Sequence, residues 1–146
     1  MKITAKQRHR ARRFALQALY QQGFNQLGIN ELKAQFMAEN SHVQTDWKFF
    51  NELTDGVLTN LNEINAGLDP FVQTGLKAVN PVELALLRLG AFELQYRIDI
   101  PYCVVLDEYI ELAKKYGCQD GDGFVNGVLD QVAKTQRKLE YNAAKQ

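Results

Sequence analysis

Apolar residues recur at spacings of three and four through almost the whole chain, and no stretch shows sustained apolar/polar alternation. The pattern therefore predicts helices and no strands. The first helix carries Ala11, Phe14, Ala15, Ala18 and Leu19 on one stripe and is expected to fray between Gly23 and Asn30. A weaker segment spans Glu31 to Glu39, followed by a polar loop from Asn40 to Gln44. Thr45-Asp46 then opens a longer helix with Phe50, Leu53, Val57, Leu61 and Ile64 along one side and Gly67 near its end. Asp69-Pro70 starts a short helix through Val79.

The stretch NPVELALLRLGAFELQYR is apolar nearly all round, which places it in the middle of a bundle. Asn80 is its expected N-cap, Pro81 suits the first helical position, and Glu83 falls three residues after the cap, as in a capping box. Ile100-Pro101 breaks this helix. PYCVVLDEYIELAKKYG follows and ends at Gly117, where a glycine terminates a helix readily. The last helix starts near Asp122, with Asp122 or Asp120 as its cap, and runs through Phe124, Val125, Val128, Leu129 and Val132. The fold class is all-α, a bundle of six to seven helices in a single domain over residues 1–146. Residues 138–146 are expected to form a fraying polar tail.

Composition narrows the class without naming a function. A chain of 146 residues with 46% hydrophobic and 23% charged residues has enough apolar surface for a packed core. No window approaches the roughly 18 apolar residues of a membrane span, so no membrane association is expected. Cys103 and Cys118 lie far from any CxxC spacing, and with no secretory signal they fit a reducing cytoplasm.

Charge changes the picture more. The formal net charge is zero, yet six of the 17 basic residues fall in residues 1–13, and the first acid is Glu31. Residues 14–146 consequently hold 11 basic and 17 acidic residues, a net charge of −6. Cations gathered at one end of an acidic body make a basic arm of the kind that grips nucleic acid. Serine is absent from the first 40 residues and the arm runs straight into core-forming helix, which argues against a transit peptide.

Catalytic chemistry finds no foothold. His9 and His42 are far apart in polar surroundings, and no HExxH, CxxC pair, GxSxG, P-loop or GxGxxG occurs. In QDGDGF the Asp120/Asp122 spacing suits a calcium loop, but the next ligand position is Phe124 and no glutamate follows at the required distance. Asp107, Glu108 and Glu111 read as the solvated face of an amphipathic helix. The expectation is a non-enzyme with no cofactor and no metal.

A surface remains. At about 100° per residue, Lys6, Arg10, Arg13, Gln17 and Tyr20 share one arc of about 80° on the first helix, bordered by His9 and Leu16. Arg8 and Arg12 flank the apolar stripe on its other side. The stripe can dock into the bundle while the guanidiniums face outward to pair with phosphate or stack on unpaired bases. On spacing alone, a merely solvated basic helix end remains the alternative.

Four segments in register, RHRARRFALQALYQ, VNPVELALLRLGAFEL, IPYCVVLDEYIELAKKYG and DGFVNGVLDQVAK, resemble the NusB family of bacterial transcription antitermination factors over residues 8 to about 134. The resemblance implies two small helical bundles sharing the first helix. It also implies binding of boxA-type single-stranded RNA from ribosomal RNA leader transcripts, with the small-subunit ribosomal protein NusE as partner, and loading onto the RNA polymerase antitermination complex. The family's RNA contacts map onto Lys6, Arg8, Arg10, Arg12 and Arg13, and onto Phe124 and Asn126 in the FVNG segment. Asp120 stands where the family tunes RNA and partner affinity, and Tyr20 and Glu83 stand where it meets NusE. Each has a plainer role open to it: Phe124 as core, Asn126 as a helix-turn hydrogen bonder, Glu83 as capping-box partner of Asn80, Tyr20 as a buried ring with its hydroxyl at the rim.

Two departures from the family pattern stand out. His9 interrupts the usual Arg/Lys run, which would make some RNA affinity depend on pH near neutrality. QDGDG is more acidic and glycine-rich than the usual loop, which weakens its candidacy for phosphate contacts. Two further functions are open: the RNA-recognition module of an rRNA methyltransferase, although the chain ends at Gln146 without a glycine-rich cofactor segment, and a protein adaptor with little RNA contact. A homodimer that hides the basic surface is a further possibility.

Overall fold

In a computed structural model, residues 2–23 and 28–145 are described, and among them every regular element is helical. The chain divides into two compact units, Met1–Thr59 and Asn60–Gln146. No helix among the described residues is long and apolar enough to cross a membrane.

The first unit holds α1 (Ala5–Gln22), α2 (Ile29–Glu39) and α3 (Trp47–Thr59). Thr4 starts α1 with a reciprocal capping box: its hydroxyl oxygen accepts from the Gln7 N–H at 3.2 Å, and Gln7 Oε1 accepts from the Thr4 N–H at 2.9 Å. That box satisfies two amide donors a helix start otherwise leaves open. Four of the five predicted stripe residues, Ala11, Phe14, Ala15 and Ala18, are packed away from solvent together with Leu32, Phe36, Phe50 and Leu53, whereas Leu19 is half-buried and Leu16, expected beside the outward arc, is buried. Phe14 stacks on Trp47 at 5.4 Å between centroids and tilts against Phe36 at 6.2 Å, so one ring ties α1 to both neighbours. Asp46 Oδ1 accepts from the Phe49 N–H at 3.0 Å and starts α3, as the Thr45-Asp46 signal predicts. The expected fray from Gly23 to Asn30 lies partly outside the described residues; within them, Gly23 ends α1 and Ile29 already begins α2.

The helix expected from Thr45 to Gly67 is two helices. Asn60, with φ −108° and ψ 25°, leaves the helical region and separates α3 from α4 (Leu61–Leu68). Asparagine competes for its own backbone and favours such ends. The short helix expected over 69–79 is instead two 3-10 turns, Asp69–Phe71 and Leu76–Ala78, with Gly75 between them at φ 83°. Then come α5 (Pro81–Tyr96), α6 (Tyr102–Tyr116), α7 (Gly121–Gln136) and α8 (Lys138–Lys145).

The second unit is built around α5. Asn80 Oδ1 accepts from the Val82 N–H at 2.9 Å, and ten of the sixteen α5 residues are buried, as its apolar circumference predicts. Gly90 allows α7 to come close: a Cβ there would lie 2.6 Å from Leu129 Cδ1. The buried Glu93 carboxylate accepts a hydrogen bond from the Tyr109 hydroxyl of α6, which satisfies both groups away from water.

The polar tail does not fray. Arg137, between α7 and α8, is buried and donates to the carbonyls of Glu93, Leu94, Arg97 and Ile100 at 2.7–3.2 Å. Those carbonyls lie at the end of α5 and in the turn after it, where the helix itself supplies few donors. Glu140 accepts from Arg137 at 2.8 Å and from the Tyr102 N–H at 2.8 Å, and Tyr141 packs its ring on Tyr102 at 5.4 Å. The tail's helicity therefore comes from long-range anchors, which a local pattern of polar residues does not reveal.

Candidate nucleic-acid interface

The arginines of α1 divide into two sets. Lys6 is exposed, and Arg10 and Arg13 are half-buried on the outward arc. Arg10 Nη1 donates to the Gln44 carbonyl at 2.7 Å, which uses one of five guanidinium donors and pins the α2–α3 loop beside the helix. Arg13 places its guanidinium carbon 5.0 Å from the Phe14 ring centroid. None of Lys6, Arg10 and Arg13 has an acidic partner among the described residues, and the chain places no acid before Glu31.

Arg12 corrects the expectation that every guanidinium faces outward. It is 2% exposed, and its guanidinium carbon sits 5.1 Å from the Phe49 ring centroid. Arg8, also half-buried, lies over the same ring at 5.6 Å, and its Nε stands 3.8 Å from Asp46 Oδ2. The cause is Phe49 on α3, an aromatic face that takes the weakly hydrated guanidinium out of water. Arg12 is thus part of the packing of the first unit, and Arg8 is intermediate. His9 is half-buried between the two sets.

Tyr20, near the far end of α1, is 41% exposed, so the alternative of a buried ring does not hold. Glu83 is buried, and it completes no capping box with Asn80. Its Oε2 accepts from the Cys118 N–H at 2.9 Å and lies against Gly121, where a Cβ would collide with that oxygen. A carboxylate on α5 therefore holds the loop from Gly117 to Gly121, and only a glycine fits at the contact. Asp120 occupies the left-handed region at φ 64°, exposed, at the start of α7. No side-chain cap from Asp120 is made, contrary to the expected capping role.

Phe124 is half-buried, and instead of joining the core it lines an open cavity of about 410 Å³ together with Phe71, Gln73, Thr74 and Gly127. Phe71 is missed by the sequence reading, since its 3-10 turn lies 53 residues before Phe124; the aromatic after Asp69-Pro70 is the available signal. Asn126 is exposed and makes no hydrogen bond among the described residues, so its amide is not a helix-turn bonder. The second unit thus presents aromatic faces and amides at one end of α7, and the first presents unneutralised cations along α1.

The model of the NusB family matches residues 9–134. The chain is 49% identical over 138 residues to a transcription antitermination protein NusB of Pseudomonas savastanoi pv. phaseolicola, covering 94% of this chain and 84% of that protein. It is 44% identical over 146 residues to the protein of the same name from Teredinibacter turnerae, covering 99% of both. Among solved structures, NusB of T. maritima superposes with a TM-score of 0.83 at 29% identity, covering 97% of this chain and 99% of that chain. A crystal structure of the antitermination factors NusB and NusE in complex with double-stranded RNA contains a chain that matches with a TM-score of 0.81 at 26% identity, covering 90% of this chain and 99% of that chain.

Proposed function

Since the chain belongs to the NusB family, we propose that it acts in the cytoplasm as a transcription antitermination factor that binds boxA-type single-stranded RNA of ribosomal RNA leaders together with NusE. The observation that carries the RNA reading is the set of three cations on α1, Lys6, Arg10 and Arg13, that have no acidic partner among the described residues. Guanidiniums held on a rigid helix without a counter-charge meet phosphates with little ordering cost, and their fork geometry suits two phosphate oxygens at once.

Roles then follow from burial. Lys6, Arg10 and Arg13 contact phosphate, with Arg8 at the margin, while Arg12 acts through Phe49 by fixing α1 on α3. Phe124 and Phe71 offer faces to an unstacked base, and the exposed Asn126 amide can read a base edge. Asp120 tunes the same end of α7 through its exposed negative charge. Tyr20 offers NusE an amphipathic ring, whereas Glu83 contributes by holding the Cys118–Gly121 loop. The RNA-bound heterodimer then joins RNA polymerase.

The test is a double substitution, Arg10→Ala with Arg13→Ala, assayed for affinity to boxA-type RNA and to NusE. RNA affinity is expected to fall at least about tenfold at physiological salt while NusE affinity stays unchanged. Wild-type RNA affinity in the double variant would remove α1 from the interface.

A further inference from the structure

A second cavity, of about 320 Å³, lies in the first unit between the N-terminal segment and the α2–α3 loop. Its walls include Lys2, Ile3 and Gln7 on one side and Ser41, Gln44 and Trp47 on the other. That volume is at the lower end of the roughly 300–1,000 Å³ of ligand clefts. Trp47 is half-buried: it stacks on Phe14 and meets Phe50 edge-on at 5.2 Å, and its remaining surface faces the cavity. Its indole N–H has no acceptor among the described residues. The cavity thus combines a fixed aromatic wall with a hydroxyl at Ser41 and amides at Gln7 and Gln44.

Charge identifies the occupant. The framing segments, residues 2–7 and 41–47, contain one acid, Asp46, which is buried, caps α3 and lies 3.8 Å from Arg8, and they bring Lys2 to the rim and Lys6 to the adjoining turn. The Gln44 carbonyl in the wall accepts from Arg10, so the cavity is continuous with the cationic face of α1. A neutral planar group carried on an anionic backbone satisfies all of these at once. Resting on the RNA reading above, we infer that this cavity receives one nucleobase of the bound single strand, stacked on or beside Trp47, with the neighbouring phosphate held by Lys2 and Arg10. The RNA path therefore extends past the N-terminal end of α1 onto the α2–α3 loop.

Trp47 is the chain's one tryptophan, so its emission reports on the cavity directly. The experiment titrates the full chain with a 5′-labelled boxA-type RNA of about 12 nucleotides, within the span a single-strand groove covers, and follows label anisotropy and Trp47 emission together. The two signals are expected to saturate in parallel, with Trp47 quenched. Ser41→Phe, at an exposed position, fills the cavity without touching the core; it should weaken binding about tenfold, the contribution of one stacked base, and remove the quenching. A thermal melt matching wild type confirms that this variant is folded, and Trp47→Phe, which keeps the packing on Phe14, should show a smaller loss of affinity. Wild-type affinity in folded Ser41→Phe overturns the inference, whatever Trp47 emission does, and leaves the RNA reading standing. No anisotropy change in the wild-type protein even with NusE added would overturn the RNA reading itself, and the cavity's role with it.

Discussion

Arg10 in the first unit and Arg137 in the second carry the same side chain under opposite circumstances. Arg137 spends all five donors on four carbonyls and a carboxylate, whereas Arg10 spends one, on a loop carbonyl. The difference arises from neighbours distant in sequence. The end of α5 and the turn after it gather carbonyls with acceptor capacity to spare beside α7, and a guanidinium is the one side chain able to reach several of them from a single point. Arg10 has one such carbonyl in reach among the described residues and no acid, the nearby Asp46 being turned to Arg8 and the start of α3. A buried arginine with saturated donors stabilises the fold, while one with spare donors and no counter-charge is available to a ligand.

The largest effect that would break this contrast is expected at Arg137. Arg137→Leu removes a donor from four carbonyls, two of which, Glu93 and Arg97, keep a backbone donor, and it frees α8; a drop of about 3–5 kcal/mol in urea denaturation is expected. A stable variant with α8 still ordered would show that the carbonyls find water instead. Next comes Gly121→Ala, whose Cβ collides with Glu83 Oε2 and displaces it from the Cys118 N–H. A destabilisation of about 1–3 kcal/mol is expected, measured by the same unfolding curves. Glu83→Ala in the Gly121→Ala background should then add little further, because both act on one contact.

The smallest effect belongs to Tyr141→Phe. Asp130 accepts from the Tyr141 hydroxyl at 3.0 Å, and this bond raises the phenol's pKa above its ordinary value near 10. A group whose pKa is raised by folding stabilises fully below its unfolded value and loses that contribution as pH climbs through the raised one. Wild type should therefore melt slightly above Tyr141→Phe at neutral pH, and the two should converge in strongly alkaline solution. A gap that widens with pH would contradict the assigned bond.

Much of the fold is legible in local pattern. Asn80-Pro81 marks the start of α5, its apolar circumference marks its burial, and the stripe from Ala11 to Ala18 is the buried face of α1. What escapes the pattern depends on residues far apart in the chain. Arg12 looks like its neighbours until Phe49 arrives from α3, and Glu83 fits a capping box until the Cys118 N–H competes for its carboxylate. The polar residues after Arg137 look frayed until α5 and the turn after it supply acceptors 37 to 44 residues away. On the interface, the cations and Phe124 are visible as types, but the cavity that Phe124 shares with Phe71 exists only in three dimensions.

The division of the α1 arginines is the central claim, and the salt dependence of RNA binding tests it most directly. Removing one phosphate contact lowers the slope of log affinity against log salt by about 0.7 for a single strand. Arg10→Ala is expected to reduce the slope by that amount, with only the small loss of stability that its one hydrogen bond to the Gln44 carbonyl accounts for. Arg12→Met should instead cost about 1 kcal/mol of stability, because the Phe49 ring loses the nearer of its two guanidiniums, and the slope of the folded protein should not change. Equal reductions in slope for the two variants would contradict the division and return Arg12 to the RNA.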